Sequence, residues 1–338
     1  MVLLILVSIL GLSEISLAKE VNTATITKFY GKVRLFKNPS DRKVGKGPFV
    51  KIDGAYYTVM KAKKGIKLKP RERLQTGKKA KAKLVYANGD QITVSADTAY
   101  EVVMEGEAGV KKPVYEMIFG KLRGLIRSDG PRTGMKVRSS SMTMGVRGTD
   151  FYVQARGKSG ASEVSVLRGE VEVAPRVKNA KPVKVASGFT VQVSAPKPKK
   201  VGDKVVQAPA PIKVVPTDKK IIAKIFKQTV ITKKEEQAQE KIEKAEAKAK
   251  PEPVDPKLKA ELAQLETAAI EATKKDIKKH DPELYKKISK IPADQLNSSD
   301  LQEISTKKAF DVAPKPKASK AKFDDLESSD IYDKYFKK

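Results

Sequence analysis

The sequence predicts an all-β main domain, either an antiparallel β-sandwich or a short β-solenoid or jelly-roll-like stack, followed by a Pro/Lys-rich linker and a helical, partly disordered tail. Three observations carry this. Residues 19–195 alternate with period 2 between glycine turns, proline clusters from Pro196 to Pro216, and a Glu/Lys/Ala-rich stretch follows Asp218. The chain has 338 residues but only 6% aromatics and no Trp, which is thin for one packed core of that length. Order is therefore expected in one part and extension in another.

The first element is apolar. Met1 to Leu12 (MVLLILVSILGL) is too short to cross a bilayer as a helix, which needs about 20 residues. With the small residues Ser16 and Ala18 before Lys19, residues 1–18 read as a cleaved signal peptide, although no Lys or Arg precedes the apolar run. The alternative is a buried N-terminal strand or short helix. Export would place the mature chain in the periplasm or outside the cell.

Within 19–195, Ala82, Leu84 and Tyr86 alternate with Lys81, Lys83 and Val85. After Asn88-Gly89-Asp90, Ile92 and Val94 alternate with Gln91, Thr93 and Ser95, so the segment reads strand, hairpin turn, strand. Val164 and Val166 before Gly169, Val171 and Val173 after it, and Val183 and Val185 before Gly188 repeat the pattern. Alternation of this kind buries one strand face and wets the other. Residues 196–217 are too rich in Pro for a helix and read as an extended linker whose Val pairs can add an edge strand. Residues 218–291 read as helical. Glu235–Lys250 combines good helix formers with opposite charges at helical spacing, and prolines 251, 253 and 256 break it. Leu258, Leu262, Leu265 and Ala269 then mark a second helix up to about His280, too short a stripe for a coiled coil and suited to a helical hairpin leaning on something else. Residues 292–338 are polar and expected to be mostly disordered.

Several phrases resemble one known family. Thr76-Gly77, Ala82, Leu84 and Asn88-Gly89-Asp90 are similar to a FecR-domain phrase, and Gly120-Lys121-Leu122-Arg123 to its next strand. Val146-Arg147-Gly148-Thr149-Asp150-Phe151-Tyr152-Val153 resembles its V-R-G-T-x-F-x-V signature. Val164, Val166, Gly169, Val171 and Val173, then Ala186-Ser187-Gly188-Phe189, are similar to its ending. The resemblance covers about residues 22–195 and implies a periplasmic or surface β-domain. In the namesake sensors that domain relays ferric-siderophore receptor occupancy to an anti-sigma segment. Here only a short signal precedes the domain and no spanning helix follows, so the β-domain is expected to transfer and iron signalling is not.

Charge frames the partners. The net charge is +29, of which residues 19–196 hold +21 and residues 197–338 hold +9, with Glu14 contributing −1. A cation of that size favours polyanions. An exported chain meets anionic envelope polymers and lipid head groups rather than nucleic acid. The strongest candidate surface is the run Lys61, Lys63, Lys64, Lys67, Lys69, Arg71, Arg73, Lys78, Lys79, Lys81 and Lys83, interrupted by the single acid Glu72. It lacks the interleaved aromatics of single-strand nucleic-acid binders, and Lys-guarded edge strands explain it equally well. Val146, Arg147, Gly148, Thr149 and Phe151 read as a structural turn that sets strand register, with Arg147 able to pair with Asp150. Tyr56 and Tyr57 suggest one ring in the core and one outside.

Chemistry is poorly provided for. There is no Cys, and the one His, His280, lies in the tail. Thiol and Ser-His-Asp catalysis and His-rich metal sites are therefore excluded. Asp53, Asp90, Asp97 and Glu116 have no spacing that links them. The sequence thus predicts an exported, non-enzymatic envelope protein without cofactor or metal, whose β-domain binds or scaffolds an anionic envelope component or a partner protein. A periplasmic signal-transduction component related to FecR-type receptor signalling is the alternative, and nucleic-acid binding a second one.

Overall fold

A computed structural model describes residues 23–305 except 107–111, 130–134, 158–159, 178–179, 195–197, 202–203, 208–211, 250–254, 297–300 and 302–303. The expected signal peptide at 1–18 and the polar segment from 306 onward lie outside the described residues. Strands fill the first two thirds, as the alternation requires, and they form two antiparallel layers with one strand in common.

Sheet A runs in the order β5 (Lys67–Leu68), β1 (Ala24–Tyr30), β7 (Lys81–Tyr86), β8 (Gln91–Val94), β10 (Lys112–Leu125), β13 (Asp150–Ala155), β14 (Ser162–Arg168), β17 (Phe189–Val193) and β20 (Ile212–Pro216). Sheet B runs β3 (Phe49–Ile52), β4 (Ala55–Lys61), β2 (Val33–Ser40), β6 (Arg73–Thr76), β9 (Thr98–Glu105), β10, β11 (Met135–Arg138), β12 (Met142–Val146), β15 (Glu170–Pro175) and β16 (Val183–Ala186). All neighbours are antiparallel except β10 and β11, which are parallel. A separate hairpin joins β18 (Pro198–Val201) to β19 (Lys204–Gln207).

β10 serves both layers. Its first half, Lys112–Phe119, pairs with β9 in sheet B, and Gly120–Leu125 pairs with β13 in sheet A. The chain crosses at Gly120, where φ is +107° and a Cβ would stand 2.3 Å from Thr98 Oγ1 and 2.6 Å from the Asp97 carbonyl. Only glycine fits there. Between the layers lies one core, in which Ile26, Leu84, Val153 and Val164 of sheet A face Leu35, Leu74, Val137 and Val173 of sheet B. At its centre the Tyr86 and Tyr100 hydroxyls meet at 3.0 Å, and the Tyr115 ring packs edge-on to Tyr86 and stacked on Tyr100.

The proline-rich segment is less of a spacer than its composition suggests. β20 joins the edge of sheet A beside β17, so the Val-rich end of that segment does form the edge strand its sequence allowed. Pro198 and Pro216 sit at strand ends, where a missing N–H is tolerated. Helices follow: α1 (Lys219–Thr229), α2 (Lys233–Ala249), α3 (Pro256–His280) and α4 (Pro282–Ile288). Asp218, Asp255 and Asp281 cap α1, α3 and α4 through side-chain oxygens that accept from Lys220 N, Lys257 N and Leu284 N. Thr232 and Glu235 form a reciprocal capping box on α2. Pro256 therefore opens α3 at its first turn and does not merely end the helix before it. Order also continues past Pro292, with a 3-10 turn at Ala293–Gln295 and Leu301 buried against Ile270, Ile277 and Ile288. Among the described residues no helix is long and apolar enough to cross a membrane.

Gly120→Val should destabilise the chain by about 3 kcal/mol or more, since left-handed strain of about 1–2 kcal/mol adds to a backbone clash. Gly188→Ala, at φ +87° but with nothing within 4 Å of the new Cβ, should lose only the strain. Urea midpoints of the two variants check the difference.

Candidate functional site

The outer face of sheet A carries the site. Strand alternation turns Lys81, Lys83 and Val85 away from the core, yet all six residues of β7 are buried. The expected wet face is covered by the tail, and the cover is chemically matched to it. Lys28 Nζ of β1 lies 2.6 Å from Glu236 and 3.4 Å from Glu266. Lys81 reaches Glu235 at 3.0 Å and Lys83 reaches Glu266 at 3.5 Å. Farther out, Lys61 pairs with Glu246 at 2.9 Å, Lys64 with Glu240 at 3.5 Å and Lys67 with Glu261 at 2.7 Å. In each pair the cation belongs to the β body and the carboxylate to α2 or α3.

Burial decides how much these pairs matter. The Lys83 side chain is 3% exposed, and burial depresses its ammonium more than its neighbours restore it. Burial also opposes ionisation of Glu266, but Lys83 and Lys28 outweigh it and hold that carboxyl below its ordinary range. The Lys28–Glu266–Lys83 group is thus a partly desolvated network. Lys61–Glu246, with both side chains mostly exposed, is worth about 0–1 kcal/mol at most. Backbone approach is close as well. Gln91 Nε2 donates to the Ala269 carbonyl at 3.2 Å, and a Cβ on Gly89 would stand 3.2 Å from that of Ala272. The Asn-Gly turn therefore lies directly beneath α3.

The rest of the cover rests on β13 and β14. Arg123 makes a bidentate pair with Asp150 at 2.9 and 2.6 Å, and its guanidinium lies 4.7 Å from the Phe226 ring of α1. Asp150 thus pairs with Arg123 and not with Arg147, which is exposed at the turn. Ile225 packs on Tyr152 and Leu167, and Tyr152 donates its hydroxyl proton to Gln228 at 2.8 Å. Arg168 pairs with Asp276 of α3, whose carboxyl burial pushes up to about 6 despite that cation. His280 Nε2 stands 3.6 Å from the same carboxylate, and burial lowers its pKa, assisted by Arg168 and Lys279.

The predicted residues separate accordingly. Lys61, Lys64, Lys67, Lys81 and Lys83 meet tail carboxylates, which the sequence reading of a solvent-facing polyanion patch did not foresee. Lys63, Lys69, Arg71, Lys78 and Lys79 are exposed. Arg73 lies on sheet B, between Glu101 at 2.5 Å and Asp53 at 2.7 Å and over the buried Tyr57 ring. Tyr56 is half-buried, with Lys51 at 5.2 Å. Val146 and Phe151 belong to the core, and Gly148 makes the turn between β12 and β13 at φ +63°, against Ser128. The Thr149 hydroxyl faces the carbonyls of Arg147 and Glu170 at 3.0 and 2.9 Å. Asp53, Asp90, Asp97 and Glu116 are not brought together. Asp90 accepts from Arg127 N and Asn88, Glu116 pairs with Arg138, and Asp97 lines a shallow cleft of about 300 Å³ with Lys32, Arg34, Lys78 and Phe119. Among the described residues no cluster of His, Asp and Glu is suited to hold a metal.

Two outcomes follow from this chemistry. Asp150→Ala leaves a buried guanidinium without its carboxylate and should cost about 3–5 kcal/mol, whereas the double variant Arg123→Met, Asp150→Leu should recover most of the loss. Glu266 has a folded-state pKa below the ordinary 4.5, so its contribution is present above that pH and lost as the pH falls through the folded value. Glu266→Gln should therefore weaken the chain at neutral pH and flatten the acid limb of its stability curve. Urea titrations across pH measure both.

Residues 72–172 match the family model described as FecR protein. No curated protein matches the chain. Two crystal structures of a proposed anti-sigma factor from Parabacteroides distasonis are similar at 16% sequence identity, with TM-scores of 0.35 and 0.34. Each similarity covers 45% of this chain and 62% of the other, so the chain spans less than two thirds of the structures it matches. The family match opens at Glu72 and closes at Glu172 in β15, taking in the β10 crossing and the Val146–Val153 turn. Residues 72–172 are the FecR-like part of this chain, and β1 to β5, the later strands and the helices are built around them.

Proposed function

We propose that this chain is a non-enzymatic, exported component of a FecR-type signal-transduction system, in which the β body is the docking element for a partner protein and the helical tail governs access to it. The observation that carries the reading is the FecR match over residues 72–172, set within a body whose lysine-rich face is held by ion pairs to its own tail. The chemistry supports a binding role. The chain has no Cys and one His, and buried Lys83 and Arg168 of the body pair with carboxylates of the tail.

A second reading, a scaffold for an anionic envelope polymer or lipid head groups, draws on a different region. Lys32, Arg34 and Lys78 converge on the cleft beside Phe119, and no tail carboxylate is described against them. In this reading binding falls steeply with salt, because exposed lysines act by screened attraction.

Deleting the gene tests the leading proposal. A change in transcription of a sigma-factor-dependent set of genes is expected in the deletion strain, and the unaltered strain should yield the mature chain from its envelope with Lys19 at the N-terminus. An unchanged transcript profile combined with salt-sensitive binding to envelope polymer would favour the scaffold reading.

A further inference from the structure

The helices of the cover are not held alike. α1 buries Ile222, Ile225 and Phe226, and α3 buries Ala269, Ile270, Ala272 and Ile277. Among its described side chains α2 buries only Gln239, and its Ile242 is 48% exposed. Its contacts with the body are polar. Glu235, Glu236, Glu240 and Glu246 meet Lys81, Lys28, Lys64 and Lys61, and Gln239 Oε1 accepts from Gly31 N at 3.1 Å. Lys81 Nζ also donates to the Val230 carbonyl just before the helix, at 2.6 Å. A surface helix normally docks through an apolar stripe. One docked by carboxylates is weakly held and sensitive to salt.

We propose that α2 occupies, in cis, a lysine-lined surface that also accepts a partner protein's helix with glutamates along one face, so that partner and α2 compete for the same lysines. This rests on the partner-docking reading above and names the partner's chemistry. The occupant already present is the argument for its class. The lysines are spaced to meet carboxylates along one helix face, Gly31 N–H meets a side-chain amide from that same face, and Lys81 reads a backbone carbonyl beside the helix start. A flexible polyanion supplies the charge but neither of the last two contacts. Tethering gives α2 an effective concentration of about millimolar, so an untethered helix sees a surface that is mostly occupied. Its apparent affinity is reduced by the fraction of chains in which α2 is lifted.

The full-length chain and a fluorescent peptide of residues 232–249 test this. A Glu236→Lys, Glu240→Lys, Glu246→Lys variant should bind the peptide about tenfold or more tightly than the unaltered chain, with affinity falling between about 50 and about 500 mM salt. Adding Lys28→Glu and Lys64→Glu should abolish that binding. Equal affinity for the two chains, or no binding by either, overturns the proposal. Displacement of the peptide by inorganic polyphosphate at equal charge concentration also overturns it, in favour of a polyanion. Because the chain has no Cys, a nitroxide on Ala245→Cys reports α2 without disturbing the pairs, and its mobility should rise with salt. Mobility that is unchanged across that range counts against the proposal whatever the charge variant does. Failure of peptide binding leaves the transcript test above untouched, and failure of that test leaves peptide binding untouched.

Discussion

A lysine ammonium leaves water only when a carboxylate goes with it, and that constraint organises this protein. Sheet A is built with lysine on the strand face turned from the core, at Lys28, Lys81 and Lys83. Desolvating an unpaired ammonium costs several kcal/mol. The face must therefore stay wet or be covered by something acidic. The tail supplies the acid, and α2 and α3 lie where their glutamates meet those lysines.

Much of the body was legible because many strands keep period 2 and the β3–β4 and β7–β8 hairpins turn at Asp53-Gly54 and Asn88-Gly89. Leu84 and Tyr86 inside, and Asn88-Gly89 at the turn, fall where alternation puts them. What alternation cannot reveal is whether a strand's second face meets water or another element. Lys81 and Lys83 have the same spacing in either case, and only long-range partners more than 150 residues away decide it. The Asp150 partner was missed for a related reason. Arg147 is near in sequence but sits on the far side of a turn, whereas the β10–β13 register places Arg123 opposite Tyr152 and so diagonal to Asp150. In the tail, Asp255-Pro256 and Asp281-Pro282 were readable as helix starts, since aspartate followed by proline is an N-cap followed by N1. Pro256 was read only as a breaker, and Pro282 was not read as a start, so α4 was not distinguished within the helical region.

The division of charge takes on a physical meaning in this arrangement. The tail is still net cationic, yet among its described residues Glu235, Glu236, Glu240, Glu246, Glu261, Glu266 and Asp276 face cations of the body, and many lysines of α2 and α3 are exposed. Net charge per segment thus describes the wrong quantity, because the sign of the facing surface is what determines docking. Among the described residues cationic excess lies on exposed loops, on the outer helix faces and around Lys32, Arg34 and Lys78.

The shared strand has a consequence for how the molecule is made. Because Lys112–Phe119 completes one layer and Gly120–Leu125 the other, neither layer can close while its neighbour is missing. β1 and β2 need β7 and β6, and those in turn need β8 and β9 before β10 can lock them. A growing chain gains little from its early strands until well past residue 125, and contacts this distant in sequence make assembly slow. One strand thus ties the two layers together, and damage along β10 is expected to loosen both sides.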